Sequence, residues 1–255
     1  MKRANNFLLA VTCLALAAMA CSAVSGGAEP TPITIPDIPT LPSFDATAIP
    51  DVPQPTDVPP SNGGSGGDVL FQDDFVPGRG EWGTGSDTDR TVEYVNEQLN
   101  IKIAAERYFV WTTPNDQDYN KVHMEVTAYN HNADPNVGFG IICNQQFIED
   151  SMYYFAITPN GEYAIVRAAL AQDDVFLTNN GQWNTSDLIA KNAESYRIGV
   201  DCANGKLALY VDGQLIDSVD DSTYAAGGFA LFVWSADQAN GADVAFDDFI
   251  MTQLP

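Results

Sequence analysis

From residue 99 onward, apolar side chains fall on every second position in run after run. Leu99, Ile101 and Ile103 alternate with polar neighbours, as do Val122, Met124, Val126 and Ala128. Val137, Phe139, Ile141 and Cys143 repeat the pattern, and so do Tyr196, Ile198, Val200 and Cys202. A period of two sends alternate side chains to opposite faces, which is the signature of half-buried strands. Turn signals separate the runs: Pro159-Asn160-Gly161, Asn204-Gly205 and Asp212-Gly213. Asn-Gly and Asp-Gly accept the positive φ of tight hairpins, so residues 153–168 and 204–219 each read as a hairpin. No long helical period is present. Eleven or twelve short strands joined by hairpins predict an all-β chain, a two-sheet antiparallel β-sandwich of the jelly-roll kind.

The N-terminal part differs in kind. Residues 1–21 read MKRANNFLLAVTCLALAAMAC: two basic residues, an apolar run from Phe7 to Ala18, and the small-x-small triplet Ala18-Met19-Ala20. This is an export signal, too short to span a bilayer stably. Cys21 follows the triplet and resembles a bacterial lipobox cysteine, which implies lipidation and a membrane anchor; Ala18 stands where lipoboxes prefer Leu. Ordinary signal-peptidase cleavage, giving a soluble secreted chain, is the alternative. Residues 22–67 hold ten of the fifteen prolines, one aromatic residue and five acids. They read as a disordered Pro-rich tether reaching at most roughly 140 Å at ~3.1 Å per residue. The folded domain is then residues 68–255.

Charge narrows the partners. The chain carries 34 Asp+Glu against 11 Lys+Arg, a formal net charge of −23, and residues 68–255 hold −20 of it. Such a chain repels phosphate backbones, which excludes a nucleic-acid binder working by counterion release. It meets a membrane only through the lipid anchor. Cys143 and Cys202 each end an apolar face and so point into the core. In an exported chain they are expected to form a disulfide, a buried pair of free thiols being the alternative.

The segments FGIICNQQ (139–146), YYFAITPNGEYAIVR (153–167), YRIGVDCANGKLALYVDGQLIDSV (196–219) and VAFDDFIM (244–251) resemble concanavalin A-like lectin/glucanase domains. The nearer likeness is to the 3-keto-disaccharide hydrolase-like and LamG-like group on bacterial surface proteins. The resemblance implies the jelly roll, but the superfold hosts lectins, hydrolases and adhesion modules alike. Asn144 stands where similar domains often carry Arg.

Catalysis has little support. The Glu-x-Asp-x-x-Glu arrangement that family-16 glycosidases place on one strand is absent. Glu93 with Glu97 has the wrong spacing, and Glu149 and Asp150, being adjacent, point to opposite faces. His123, flanked by inward Val122 and Met124, belongs on the outer face with Glu125, and His131 lies in a loop. Binding has more support. Gly138, Gly140 and Gly199 fall opposite the core-filling positions, where glycines leave a groove. Trp111, Tyr154, Trp183 and Trp234 offer ring faces for sugars, and Arg167 and Arg197 offer hydrogen bonds to hydroxyls. Phe71-Gln72-Asp73-Asp74-Phe75 opens the domain and Phe246-Asp247-Asp248-Phe249 closes it. If the end strands pair, Asp73, Asp74, Asp247 and Asp248 form a candidate structural calcium site. The expectation is an exported, lipid-anchored, monomeric surface protein whose non-catalytic lectin-like domain binds extracellular glycan or a surface protein. A keto-disaccharide hydrolase-like enzyme and a purely structural module are the alternatives.

Overall fold

The computed structural model describes residues 67–78, 82–132, 135–147, 151–238 and 241–255. The export signal, Cys21 and nearly all of the Pro-rich tether lie outside them, as do Glu149 and Asp150. Sixteen strands and no helix are found among the described residues. They are β1 (Val69–Asp73), β2 (Gly85–Ser86), β3 (Arg90–Val95), β4 (Gln98–Ile103), β5 (Phe109–Thr112) and β6 (Val122–Asn130). Next come β7 (Gly138–Gln146), β8 (Ser151–Ile157), β9 (Glu162–Ala168), β10 (Val175–Phe176) and β11 (Asn184–Thr185). The last are β12 (Ser195–Ala203), β13 (Lys206–Val211), β14 (Gln214–Asp220), β15 (Gly228–Trp234) and β16 (Ala242–Gln253). The count exceeds the expected eleven or twelve partly because β2, β10 and β11 have two residues each. Two residues carry no period, so pattern reading passes over them.

Two antiparallel sheets stack into a jelly-roll sandwich. The first has the order β14-β13-β12-β6-β16-β4-β3-β2, with β1 paired to β16. The second has the order β10-β9-β8-β7-β15-β5, with β11 paired to β9. Both expected hairpins form: β8 meets β9 across Pro159-Asn160-Gly161, and β13 meets β14 across Asp212-Gly213. Asp212 and Gly213 both have positive φ, 51° and 74°, as a tight turn matched to strand twist requires. The turn between β3 and β4 does the same with Asn96 and Glu97, at 54° and 60°. Glu97 has no special tolerance for that conformation, so this hairpin gives no sequence signal.

The alternating positions fill the space between the sheets. Leu99, Ile101, Met124, Val126, Ile198, Val200 and Phe246 from the first sheet meet Phe139, Ile141, Phe155, Ile157 and Ile165 from the second, all fully buried. Burial on this scale is the main stabilising term of the fold. Cys143 on β7 and Cys202 on β12 form a disulfide, 59 residues apart in sequence, that ties one sheet to the other across this core.

The second sheet departs from simple alternation. Along β8, Ser151–Ile157, every residue is buried. The outer positions Ile142, Tyr154, Ala156, Ala164, Val166 and Phe232 form an apolar cluster of their own, with Trp111, Phe176 and Trp183 packed against it. The half-buried rings of Trp111, Phe176 and Trp183 cover these outer positions, so the second sheet carries a small apolar layer on each face.

Candidate functional site

That outer face is a trough of about 480 Å³. Strand register sets its floor. Trp234 on β15 lies opposite Gly138 on β7 and opposite Phe109 on β5, so all three share one face. One register step inward, Phe232 lies opposite Gly140 and Trp111. Gly138 leaves room for the indoles: a Cβ there would come 3.2 Å from Trp234 Cε3 and 3.8 Å from Trp183 Cη2. Trp183 arrives from the segment between β10 and β11. The turn Asn179-Asn180-Gly181 has positive φ at all three residues, and Asn179 Nδ2 donates to the Trp183 carbonyl oxygen at 2.8 Å. The Trp183 and Trp234 rings lie nearly parallel, 6.1 Å apart and 15° from coplanar orientation. Phe109 stacks on Phe232 at 4.8 Å, and Tyr154 meets the Phe232 edge at 5.5 Å.

Polar groups in the trough are few and placed. Tyr154 donates its hydroxyl to Asp174 Oδ2 at 2.7 Å. Burial, then the Asp174 charge, pushes the Tyr154 phenol well above its usual range, so it stays a donor. Trp82, elsewhere in the fold, donates its indole N–H to Asp73 Oδ2 at 3.0 Å. Trp111, Trp183 and Trp234 make no such bond to another described residue. Three half-buried ring systems with unspent N–H donors thus share a trough with one carboxylate at its rim. Ring faces of this kind stack against C–H surfaces while N–H and carboxylate groups bond to hydroxyls. Hydrolysis of a glycosidic bond by a paired-acid mechanism needs two carboxyl groups, and among the described residues Asp174 is the one carboxylate in the lining.

The trough gathers four of the six sequence-picked residues: Trp111, Tyr154, Trp183 and Trp234. Trp111 sits within β5. The two arginines are elsewhere. Arg167 on β9 reaches Asp221 Oδ2 at 2.5 Å and Thr223 Oγ1 at 2.8 Å. Arg197 belongs to the other sheet, where it holds Glu125 Oε2 at 3.1 and 3.2 Å and the Asp248 carbonyl at 2.6 Å. Strand position in the sequence does not say which sheet each strand joins, and β9 and β12 lie in different sheets. Of the three glycines, Gly138 lines the trough, Gly140 lies beneath it against β8, and Gly199 is on the first sheet under Tyr210 and His123. Phe109, Phe232 and Asp174 were missed. The two phenylalanines alternate with Trp111 and Trp234, a period of two that was readable; Asp174 reaches the site only through the fold.

The first and last strands do pair, with Asp73 opposite Phe249. The four aspartates nevertheless fit calcium poorly. Asp73 accepts from the Phe75 N–H and the Trp82 indole with its two oxygens. Asp247 is raised in pKa, by burial first and then by the charges of Asp248 and Asp74. Among the described residues, no three His, Cys, Asp or Glu side chains group as a metal would need.

The outer face of the first sheet carries a polar chain. His123 Nδ1 lies 2.6 Å from Asp201 Oδ1, and Nε2 lies 3.2 Å from Glu125 Oε1. Tyr210 donates to the other Asp201 oxygen at 2.8 Å. Burial alone would lower the His123 pKa, but the two carboxylates prevail and raise it to about 9. A raised folded-state pKa stabilises below the unfolded value of 6.5, and the gain fades as pH rises toward 9. Thermal melts from pH 6 to 9.5 are expected to show the midpoint falling with pH, by an amount on the order of 2–3 kcal/mol of stability. His123→Gln should flatten that slope; an equal slope in the variant would remove His123 as its source.

No family model matches the chain, and no curated protein matches it. Solved structures do. Carbohydrate-binding module CBM66 from Bacillus subtilis aligns at a TM-score of 0.50 and 13% identity, covering 68% of this chain and 96% of that one. β-Agarase B from Zobellia galactanivorans aligns at 0.53 and 11% identity, covering 76% and 96%. The laminarinase catalytic domain from Thermotoga maritima aligns at 0.52 and 10% identity, covering 74% and 99%. At such identities the likeness is one of fold, and the fold is the concanavalin A-like jelly roll.

Proposed function

We propose that the domain is a lectin-like module that binds extracellular carbohydrate in the trough without cleaving it. The observation that carries this reading is the set of three half-buried tryptophans, Trp111, Trp183 and Trp234, around one trough, their indole N–H groups bonded to no other described residue. The structural neighbours, a carbohydrate-binding module, an agarase and a laminarinase, support the substrate class. Asp174 being the one lining carboxylate among the described residues supports binding over hydrolysis. The N-terminal signal and Cys21 complete the reading: an exported protein held at a membrane by lipid and presenting its domain outward on a Pro-rich tether.

Affinity electrophoresis of the full chain through gels containing laminarin or agarose tests the function. Retardation is expected, with no reducing sugar released. Trp234→Ala is expected to weaken binding at least tenfold, since stacking against one ring contributes about 1.4 kcal/mol or more. Retardation unchanged by Trp183→Ala and Trp234→Ala together would move the binding site off the trough. Release of reducing sugar would make the protein an enzyme.

A further inference from the structure

The charge pattern around the trough carries the binding reading a step further. Among the described residues no Lys, Arg or His lines the trough, and the one charged group in its lining, Asp174, is negative. Asp174 is held in place by the Tyr154 hydroxyl at 2.7 Å, on the rim where a ligand would enter. The cation next to the trough strands is spent elsewhere. Arg167 follows Val166, which belongs to the trough-side cluster, but its guanidinium is bonded to Asp221 and Thr223. A carboxylate or sulfate brought against these aromatic faces could accept from the indole N–H groups, but it would lose water with no cation among the described lining residues to offset its charge. It would also face the Asp174 charge at the rim of the trough. A hydroxyl, by contrast, finds an acceptor in Asp174 and donors in the indoles.

Resting on the reading of the trough as a carbohydrate site, we propose that it selects uncharged glycan chains, and that Asp174 turns away chains bearing carboxylate or sulfate. The neighbouring Asp173 does not line the trough and gives a control for the overall acidity of the domain. With the full chain, binding to neutral laminarin and agarose is compared with binding to polygalacturonate and alginate at low salt. The wild type is expected to favour the better neutral polymer at least tenfold. Asp174→Asn is expected to narrow that preference at least threefold, and Asp173→Asn to leave it unchanged. Added salt should also narrow it, because Asp174 is exposed and its field is screened. Equal binding of acidic and neutral polymers by the wild type overturns the proposal. A preference untouched by Asp174→Asn, or changed as much by Asp173→Asn, assigns any selection to the net charge and overturns it as well. Binding of none of the four polymers counts against the carbohydrate reading itself, and so is told apart from a failure of selectivity.

Discussion

Gly140→Ala is expected to prevent stable folding. A Cβ at residue 140 would stand 1.9 Å from the Phe155 carbonyl oxygen and 3.1 Å from its carbon, both backbone atoms of the adjacent strand β8. The Phe232 ring at 3.4 Å closes the remaining side. Backbone cannot swing aside as a side chain can, so β7 and β8 would have to part at the centre of the second sheet. Overpacking commonly costs about 1–3 kcal/mol, and a clash that breaks a central ladder belongs above about 4 kcal/mol. For a domain this size, most of the stability would be gone. Urea unfolding monitored by tryptophan fluorescence measures it. A midpoint within experimental error of the wild type would mean that β7 and β8 do not approach as described. Gly138, two residues earlier, offers the contrast: the nearest atoms to a Cβ there are side-chain atoms of Trp234 and Trp183, at 3.2 and 3.8 Å, and not backbone.

The second large effect lies in the disulfide. Cys143 and Cys202 are 59 residues apart and join the two sheets through the core. Closing a loop of that length restrains the unfolded chain by about 4 kcal/mol on the loop-entropy account. Replacing both by alanine is therefore expected to lower the melting temperature by roughly 8–16 °C, at about 2–4 °C per kcal/mol. Reduction of the wild type under the same conditions should reproduce most of that drop. If the alanine pair melts with the wild type and reductant changes nothing, the bridge contributes no constraint. The trough should survive in the folded fraction, because both sulfurs lie on the core side of their strands.

The fold was legible because the core-facing positions keep a strict period of two over long strands. Phe139-Ile141-Cys143 and Ile198-Val200-Cys202 announce both their strands and the bridge between them. The trough was half legible for a physical reason. On β7, β8 and β15 both faces are apolar, so sequences such as Met152-Tyr153-Tyr154-Phe155-Ala156-Ile157 lose the alternation that separates inside from outside. The tryptophans remain legible as ring faces whatever the alternation. Phe109 and Phe232 do not stand out in the same way, although each sits two residues from a chosen tryptophan. Arg167 and Arg197 looked equivalent in sequence, and only the sheet order separates them, since β9 and β12 belong to different layers. Asp174 could not be found from its neighbours at all: its role depends on Tyr154, twenty residues away in the chain. The two-residue strands and the Asn96-Glu97 turn were hidden because neither has the composition that such features usually require.

The central claim is that ligand enters against Trp111, Trp183 and Trp234. The chain has four tryptophans and hence four indole N–H resonances, with Trp82 as an internal reference. Trp82 is buried, 3% exposed, and its N–H is committed to Asp73. Titrating the full chain with oligosaccharides of laminarin or agarose and following these four signals by NMR tests the claim most directly. The three trough indoles are expected to shift together along one saturable curve while Trp82 stays fixed. Saturable binding that leaves all three trough signals in place, or moves Trp82 alone, would contradict it.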